Sequence, residues 1–306
     1  MPLLTATAPG TWGVEPGGSP LDPPWTRVLD EIAVTGFDGS ELGPLGYYPE
    51  QPAWLRHELD TRELRLAGGF VMEPLHDRNE LRRVLELTRR TCAALAGAGA
   101  AVLVVIDGLC RDRSATAGRS AAAARLPAPA WARLVATVEQ IGALAADEFG
   151  LAAAFHPHAG THVEFADEIE RLLADSDPEL VGLCLDTGHA RYAGVDPLRL
   201  IERHGDRIRH VHLKDVDGAA LARALSRGSS FEQAVADGVF CPLGAGDVDL
   251  AAVAAALERI GFDGWAVFEQ DRAPGAPGAR AEAEASLRHL RQVGIARAAG
   301  PRAGAR

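Results

Sequence analysis

Apolar and polar positions along this chain fall into two alternating periods. Trp25, Val28, Leu29 and Ile32 recur at helical spacing, with Pro23 and Pro24 ahead of them and Gly36 behind. Residues 101–106 (AVLVVI) instead form an unbroken apolar run, the mark of a strand buried on both faces. The same two signatures exchange along the chain. Strands are expected at 11–14, 37–42, 64–72, 101–106, 151–155, 181–185, 208–213 and 265–268. Helices are expected at 25–34, 52–62, 81–95, 128–149, 165–174, 197–204, 250–260 and 279–293. Eight strands, each followed by a helix, predict a parallel sheet with helical crossovers, and at this length an α/β (β/α)8 TIM barrel. A doubly wound open sheet is the second choice. It is weakened because no strand is followed by a GxGxxG or GxxxxGK[ST] loop. One domain over residues 1–293 is expected, with an insertion at about 216–249 between the seventh and eighth strands, and a disordered Gly/Ala/Arg-rich tail over 294–306.

A barrel of this kind builds its site at the carboxyl ends of its strands. The last four strands there deliver His156, Asp186, His212 and Glu269. Two imidazoles and two carboxylates on neighbouring strands can converge on one divalent ion. That mixed nitrogen and oxygen set suits Mn²⁺, Co²⁺, Fe²⁺ or Zn²⁺ better than Ca²⁺ or Mg²⁺. Each residue also has a structural reading: Asp186 could cap the next helix, and Asp215 could pair with Lys214 or an exposed arginine. His210 is read as facing the helix layer, and His162 and His204 as surface residues. Four ligand-type residues at four consecutive strand ends favour the metal reading.

Composition then narrows the function. The chain has 306 residues, 31 Lys plus Arg against 42 Asp plus Glu, and a net charge of −11, which argues against sequence-independent nucleic-acid binding. Its four cysteines, Cys92, Cys110, Cys184 and Cys241, form no CxxC pair and no disulfide framework. The opening residues lack the basic and apolar regions of a signal peptide, and no apolar run is long enough to span a bilayer, so a cytoplasmic protein without membrane partners is expected.

The elements Leu185-Asp186-Thr187-Gly188-His189, His210-Val211-His212-Leu213-Lys214-Asp215 and Phe268-Glu269 resemble the xylose isomerase-like TIM-barrel superfamily. Thr11-Trp12-Gly13, residues 36–43 (GFDGSELG), His156-Pro157-His158-Ala159-Gly160-Thr161 and Gly244-Ala245-Gly246-Asp247 resemble its inosose dehydratase branch. The resemblance covers about residues 10–292. It implies that Asp186, His212 and Glu269 bind metal, with His156 standing where the superfamily commonly has a glutamate. Mn²⁺ or Co²⁺ lead the candidates, followed by Zn²⁺, Fe²⁺ and Mg²⁺. The resemblance also implies that His158, His189 and Lys214 are catalytic and face substrate, with Trp12 and Glu41 as further substrate contacts across the rim.

The implied reaction is dehydration of a cyclic polyol ketone such as 2-keto-myo-inositol, by α-proton abstraction and loss of the β-hydroxyl. A metal-dependent sugar or polyol isomerase or epimerase is the alternative. Elimination from oxidised C-glycosides, AP-endonuclease chemistry and a non-catalytic polyol binder rank lower. The expected partner is a small polyol or keto-sugar, and a homo-oligomer is compatible with the sequence. Residues 68–77 (GGFVMEPLHD) depart from the branch pattern.

Overall fold

Nine parallel strands follow one another around a single sheet. They are β1 (Leu4–Thr7), β2 (Gly39–Ser40), β3 (Arg65–Leu66), β4 (Gly69–Glu73), β5 (Val102–Asp107), β6 (Ala152–Phe155), β7 (Val181–Asp186), β8 (Ile208–Leu213) and, after two strands of an insertion, β11 (Trp265–Phe268). This computed structural model describes residues 2–297. The order is β3-β2-β1-β11-β8-β7-β6-β5-β4. The edge strands β3 and β4 are consecutive pieces of one run, interrupted only at Ala67 and Gly68. Ala67 N–H donates to Ser40 on one side, Leu42 N–H reaches Gly68, and β4 pairs with β5 on the other side. One broken strand therefore closes the sheet into the expected α/β barrel.

The helices form the outer layer: α1 (Trp25–Thr35), α2 (Pro52–Asp60), α3 (Leu81–Ala98), the short α4 (Arg111–Ser114), α5 (Ala128–Phe149), α6 (Ala166–Asp175), α7 (Thr187–Tyr192) and α8 (Pro197–His204). They are followed by α9 (Gly218–Arg227), α10 (Phe231–Ala236), α11 (Leu250–Arg259) and α12 (Ala279–Gln292). Among the described residues, no helix is long and apolar enough to cross a membrane.

The continuous apolar strands follow from burial on both faces. Leu103 and Val105 pack outward against the helices, while Val104 and Ile106 point inward beside Ala154 and Cys184. The inward set is small at the bottom of the barrel and turns polar at the top. Successive inward residues are Ala154 then His156, Cys184 then Asp186, Val267 then Glu269.

The first strand lies earlier than its expected place. Residues 11–14 are not a strand; Pro9–Trp12 is a 3-10 turn that opens with a proline and ends at Gly13 in the left-handed region (φ 79°). The strand is the short run Leu4–Thr7, paired with both β11 and β2. The insertion carries structure of its own. Strands β9 (Asp215–Val216) and β10 (Phe240–Cys241) pair antiparallel and bracket α9 and α10. Of the expected tail, Ile295 and Ala296 are buried, and Leu3 N–H donates to Ile295. Residues 298–306 lie outside the described residues.

Candidate active site

His156, Asp186, His212 and Glu269 meet at the carboxyl end of the barrel, with donor atoms all within 4.8 Å of one another. His156 Nε2 lies 3.4 Å from Asp186 Oδ2, and His212 Nδ1 lies 3.1 Å from Glu269 Oε2 and 3.7 Å from Asp186 Oδ2. All four fall one strand apart in sheet order β6-β7-β8-β11.

The surrounding hydrogen bonds orient these donors. His156 Nδ1–H donates to the Pro157 carbonyl at 2.8 Å, leaving the Nε2 lone pair aimed at the cluster. His212 Nε2–H faces Glu41 Oε1 at 3.2 Å, leaving Nδ1 free. Asp186 uses Oδ1 to accept the His189 N–H and cap α7, and turns Oδ2 inward. Asp186 Oδ2 and His212 Nδ1 are buried without a hydrogen-bond partner. Buried unpartnered acceptors are costly. Two of them converging with a second imidazole and a second carboxylate fit a divalent cation.

Lys214 follows β8 and projects its ammonium into the same cluster. Nζ donates to Asp271 at 2.9 and 3.1 Å, and lies 2.9 Å from His189 Nε2, 3.3 Å from Glu269 and 3.5 Å from Asp186. Burial alone would lower its pKa, but Asp186, Asp271 and Glu269 outweigh that and hold it above the usual lysine range, so it is charged. The same ammonium, after burial itself, pushes His189 below its ordinary value. Burial, then His189, His156 and Lys214, push His158 well below, so it is neutral near pH 7. His158 Nδ1–H donates to the Ala159 carbonyl at 2.8 Å, which leaves its Nε2 lone pair unused by that bond. The two rings lie 3.8 Å apart between centroids.

These groups line one side of a cavity of about 590 Å³. His156, His158, His212, Lys214, Glu269 and Asp271 face it, opposite Phe70, Met72 and Ile106 of the barrel and Phe231 and Val235 of α10. Glu15 stands at its mouth, where desolvation and the like charge of Asp271 push its pKa up to about 7. Glu15, Glu232, Asp271 and Arg272 are the four charged cavity residues not singled out in the sequence. Asp271 had a signal: it lies two residues beyond Glu269, the spacing of one face of a strand. Glu15 sits in an irregular loop and had none.

Three expected substrate contacts do not line the cavity: Glu41, Trp12 and His189, the last packed against His158 and Lys214. Glu41 is fully buried, does not line the cavity, and accepts hydrogen bonds from His210 Nε2 at 2.7 Å and His212 Nε2 at 3.2 Å. Trp12 is also outside the cavity: the 3-10 turn directs its indole N–H to Glu31 of α1 at 2.6 Å. His210 does not face the helices, because residues two apart on a strand share a face, and it lies inward under His212. His162 is largely buried against Asp107. Asp215 pairs with neither Lys214 nor an arginine; its carboxylate accepts the N–H groups of Val216, Gly244, Gly246 and Val248.

A family model described as xylose isomerase-like TIM barrel matches residues 29–293. An inosose dehydratase of Bacillus licheniformis is 34% identical over 248 residues, 81% of each chain. The rhizopine catabolism protein MocC of Rhizobium meliloti is 34% identical over 278 residues, covering 90% of this chain and 83% of its own. Among solved structures, the IOLI protein with a binding zinc atom superposes with TM-score 0.73 at 15% identity, covering 95% of this chain and 98% of that one. A D-allulose 3-epimerase from Methylomonas sp. in complex with D-allulose gives 0.69 at 18% identity, covering 95% and 97%.

Proposed function

Because the chain belongs to the xylose isomerase-like TIM barrel family, we propose that it is a metal-dependent hydro-lyase acting on a cyclic polyol ketone of the 2-keto-myo-inositol type. The observation that carries the metal part is the convergence of His156, Asp186, His212 and Glu269, with Asp186 Oδ2 and His212 Nδ1 buried and without a hydrogen-bond partner. The reaction type rests on the inosose dehydratases that are about one-third identical over most of the chain.

His156, Asp186, His212 and Glu269 would hold the ion, and Mn²⁺, Co²⁺ and Zn²⁺ all suit the donors. A divalent ion there supplies Lewis acidity to a ketone oxygen and an adjacent hydroxyl, which makes the α-proton removable. The rest falls to protein groups. Neutral His158 accepts the α-proton at Nε2. Charged Lys214 donates a proton from Nζ to the departing β-hydroxyl, which leaves as water, and neutral His189, its Nδ1 accepting the Ala159 N–H, packs beside Nζ at 2.9 Å and helps to position it. Asp271 holds Nζ in place through two hydrogen bonds. Phe231 and Val235 of α10 close the far side of the cavity with apolar surface and exclude water.

The direct test incubates the protein and divalent metal with 2-keto-myo-inositol. Growth of the conjugated dione absorbance supports dehydration. An isomeric keto-polyol with no dione would move the assignment to epimerisation on the same barrel.

A further inference from the structure

A second group of ligand-type side chains stands outside the cavity wall just described. It is assembled from three neighbouring rim segments: His76 in the turn after β4, Asp107 at the end of β5, and His162 in the loop after β6. Their donor atoms lie within 4.8 Å of one another.

Asp107 is fully buried, and each of its oxygens is fixed by one backbone N–H, Leu75 to Oδ1 at 3.2 Å and His162 to Oδ2 at 3.1 Å. Each oxygen keeps a second acceptor site. His162 Nδ1 lies 2.8 Å from Oδ2, and His76 Nδ1 lies 3.9 Å from Oδ1. His76 Nδ1 is a buried atom with no hydrogen-bond partner. Donors about 2.0–2.1 Å from a tetrahedral zinc sit about 3.3 Å apart, which is the middle of this range. The next shell is present as well. When Nδ1 of His162 is the donor, its proton sits on Nε2, and Cys110 Sγ lies 3.6 Å away to accept it. The His76 and His162 side chains are 28% and 11% exposed, so solvent reaches the open side.

We propose that His76, Asp107 and His162 form a second divalent-cation site, for an ion of the Zn²⁺ class, separate from the cluster on β6, β7, β8 and β11. Two imidazoles and one carboxylate leave a fourth position for water. Pro74, Gly108 and Leu109, each within two residues of a ligand, line the cavity. The ion therefore clamps the segments that form that wall and makes no contact with substrate. This site does not depend on the reaction proposed above.

The test is a zinc count per chain after equilibration with Zn²⁺ and removal of free metal. It is made on the full chain, on His76→Ala, on Asp186→Ala and on the double variant. His76→Ala is expected to hold one equivalent fewer than its parent in both backgrounds, and to lose one step of zinc-induced thermal stabilisation. Far-UV circular dichroism checks that each variant folds, and His162→Gln serves as a second disruption. Equal zinc content with and without His76 and His162, in both backgrounds, overturns the proposal and leaves a hydrogen-bonded triad only.

Discussion

One carboxylate, Asp186, answers both readings that the sequence left open for it. Its Oδ1 caps α7, and its Oδ2 faces His156, His212 and Lys214 without a hydrogen-bond partner. The four clustered residues were legible because each ends an apolar strand, and strand ends in this architecture point at one another. The placements of Glu41, Trp12 and His210 were not. Depth inside the barrel separates a residue that touches substrate from one that holds an imidazole, and depth is set by pairing register. Lys214 tests the chemistry at this scale. Lys214→Met keeps much of the side chain's length and removes its charge. The variant is expected to retain its metal and lose about 10²-fold or more in turnover, the size of a lost general acid. Metal analysis beside a steady-state assay checks both halves. Unchanged turnover would leave Lys214 a structural residue.

At the scale of elements, most helices and the later strands matched their expected spans, α5 and β8 residue for residue. The exceptions share a cause. The first strand is four residues, Leu-Thr-Ala-Thr, with no apolar run, and the third is broken at Ala67 and Gly68 so that its halves bond to different neighbours. Such strands are specified by pairing partners distant in sequence. The insertion between β8 and β11 was visible only as extra length, and its helix α10 proves to cover the cavity. Asp215 ties that insertion to the barrel by accepting four backbone N–H groups. Gly246 allows this approach, since a Cβ there would lie 2.4 Å from Asp215 Oδ1. Asp215→Ala strands several buried donors and is expected to cost roughly 3 kcal/mol or more. Chemical denaturation measures it, and a loss below about 1 kcal/mol would mean that water replaces the carboxylate.

The three tyrosines, together with the four thiols that burial also raises, make the stability of the molecule sensitive to alkali. Burial raises Tyr47, Tyr48 and Tyr192 above their ordinary value of 10.0, Tyr192 to about 12 with Glu164 adding to the effect. In the unfolded chain they ionise near pH 10, so above that pH the folded state binds more protons than the unfolded one. Their contribution to stability is complete below pH 10 and is lost as pH rises toward about 12 and beyond. Tyrosinate absorbance is accordingly expected to appear together with loss of circular dichroism. Absorbance that rises near pH 10 with the fold intact would contradict this.

The net charge of −11 is compatible with a neutral polyol substrate, whose capture needs an ion and hydrogen bonds but no basic surface. The central claim is that this barrel dehydrates its substrate only with an ion on His156, Asp186, His212 and Glu269. The most direct measurement follows dione formation from 2-keto-myo-inositol by protein stripped of metal with a chelator, then reloaded with Mn²⁺, Co²⁺ or Zn²⁺. The account predicts that activity vanishes on stripping and returns on reloading in the wild type but not in Asp186→Ala. Full turnover by the metal-free protein would contradict it.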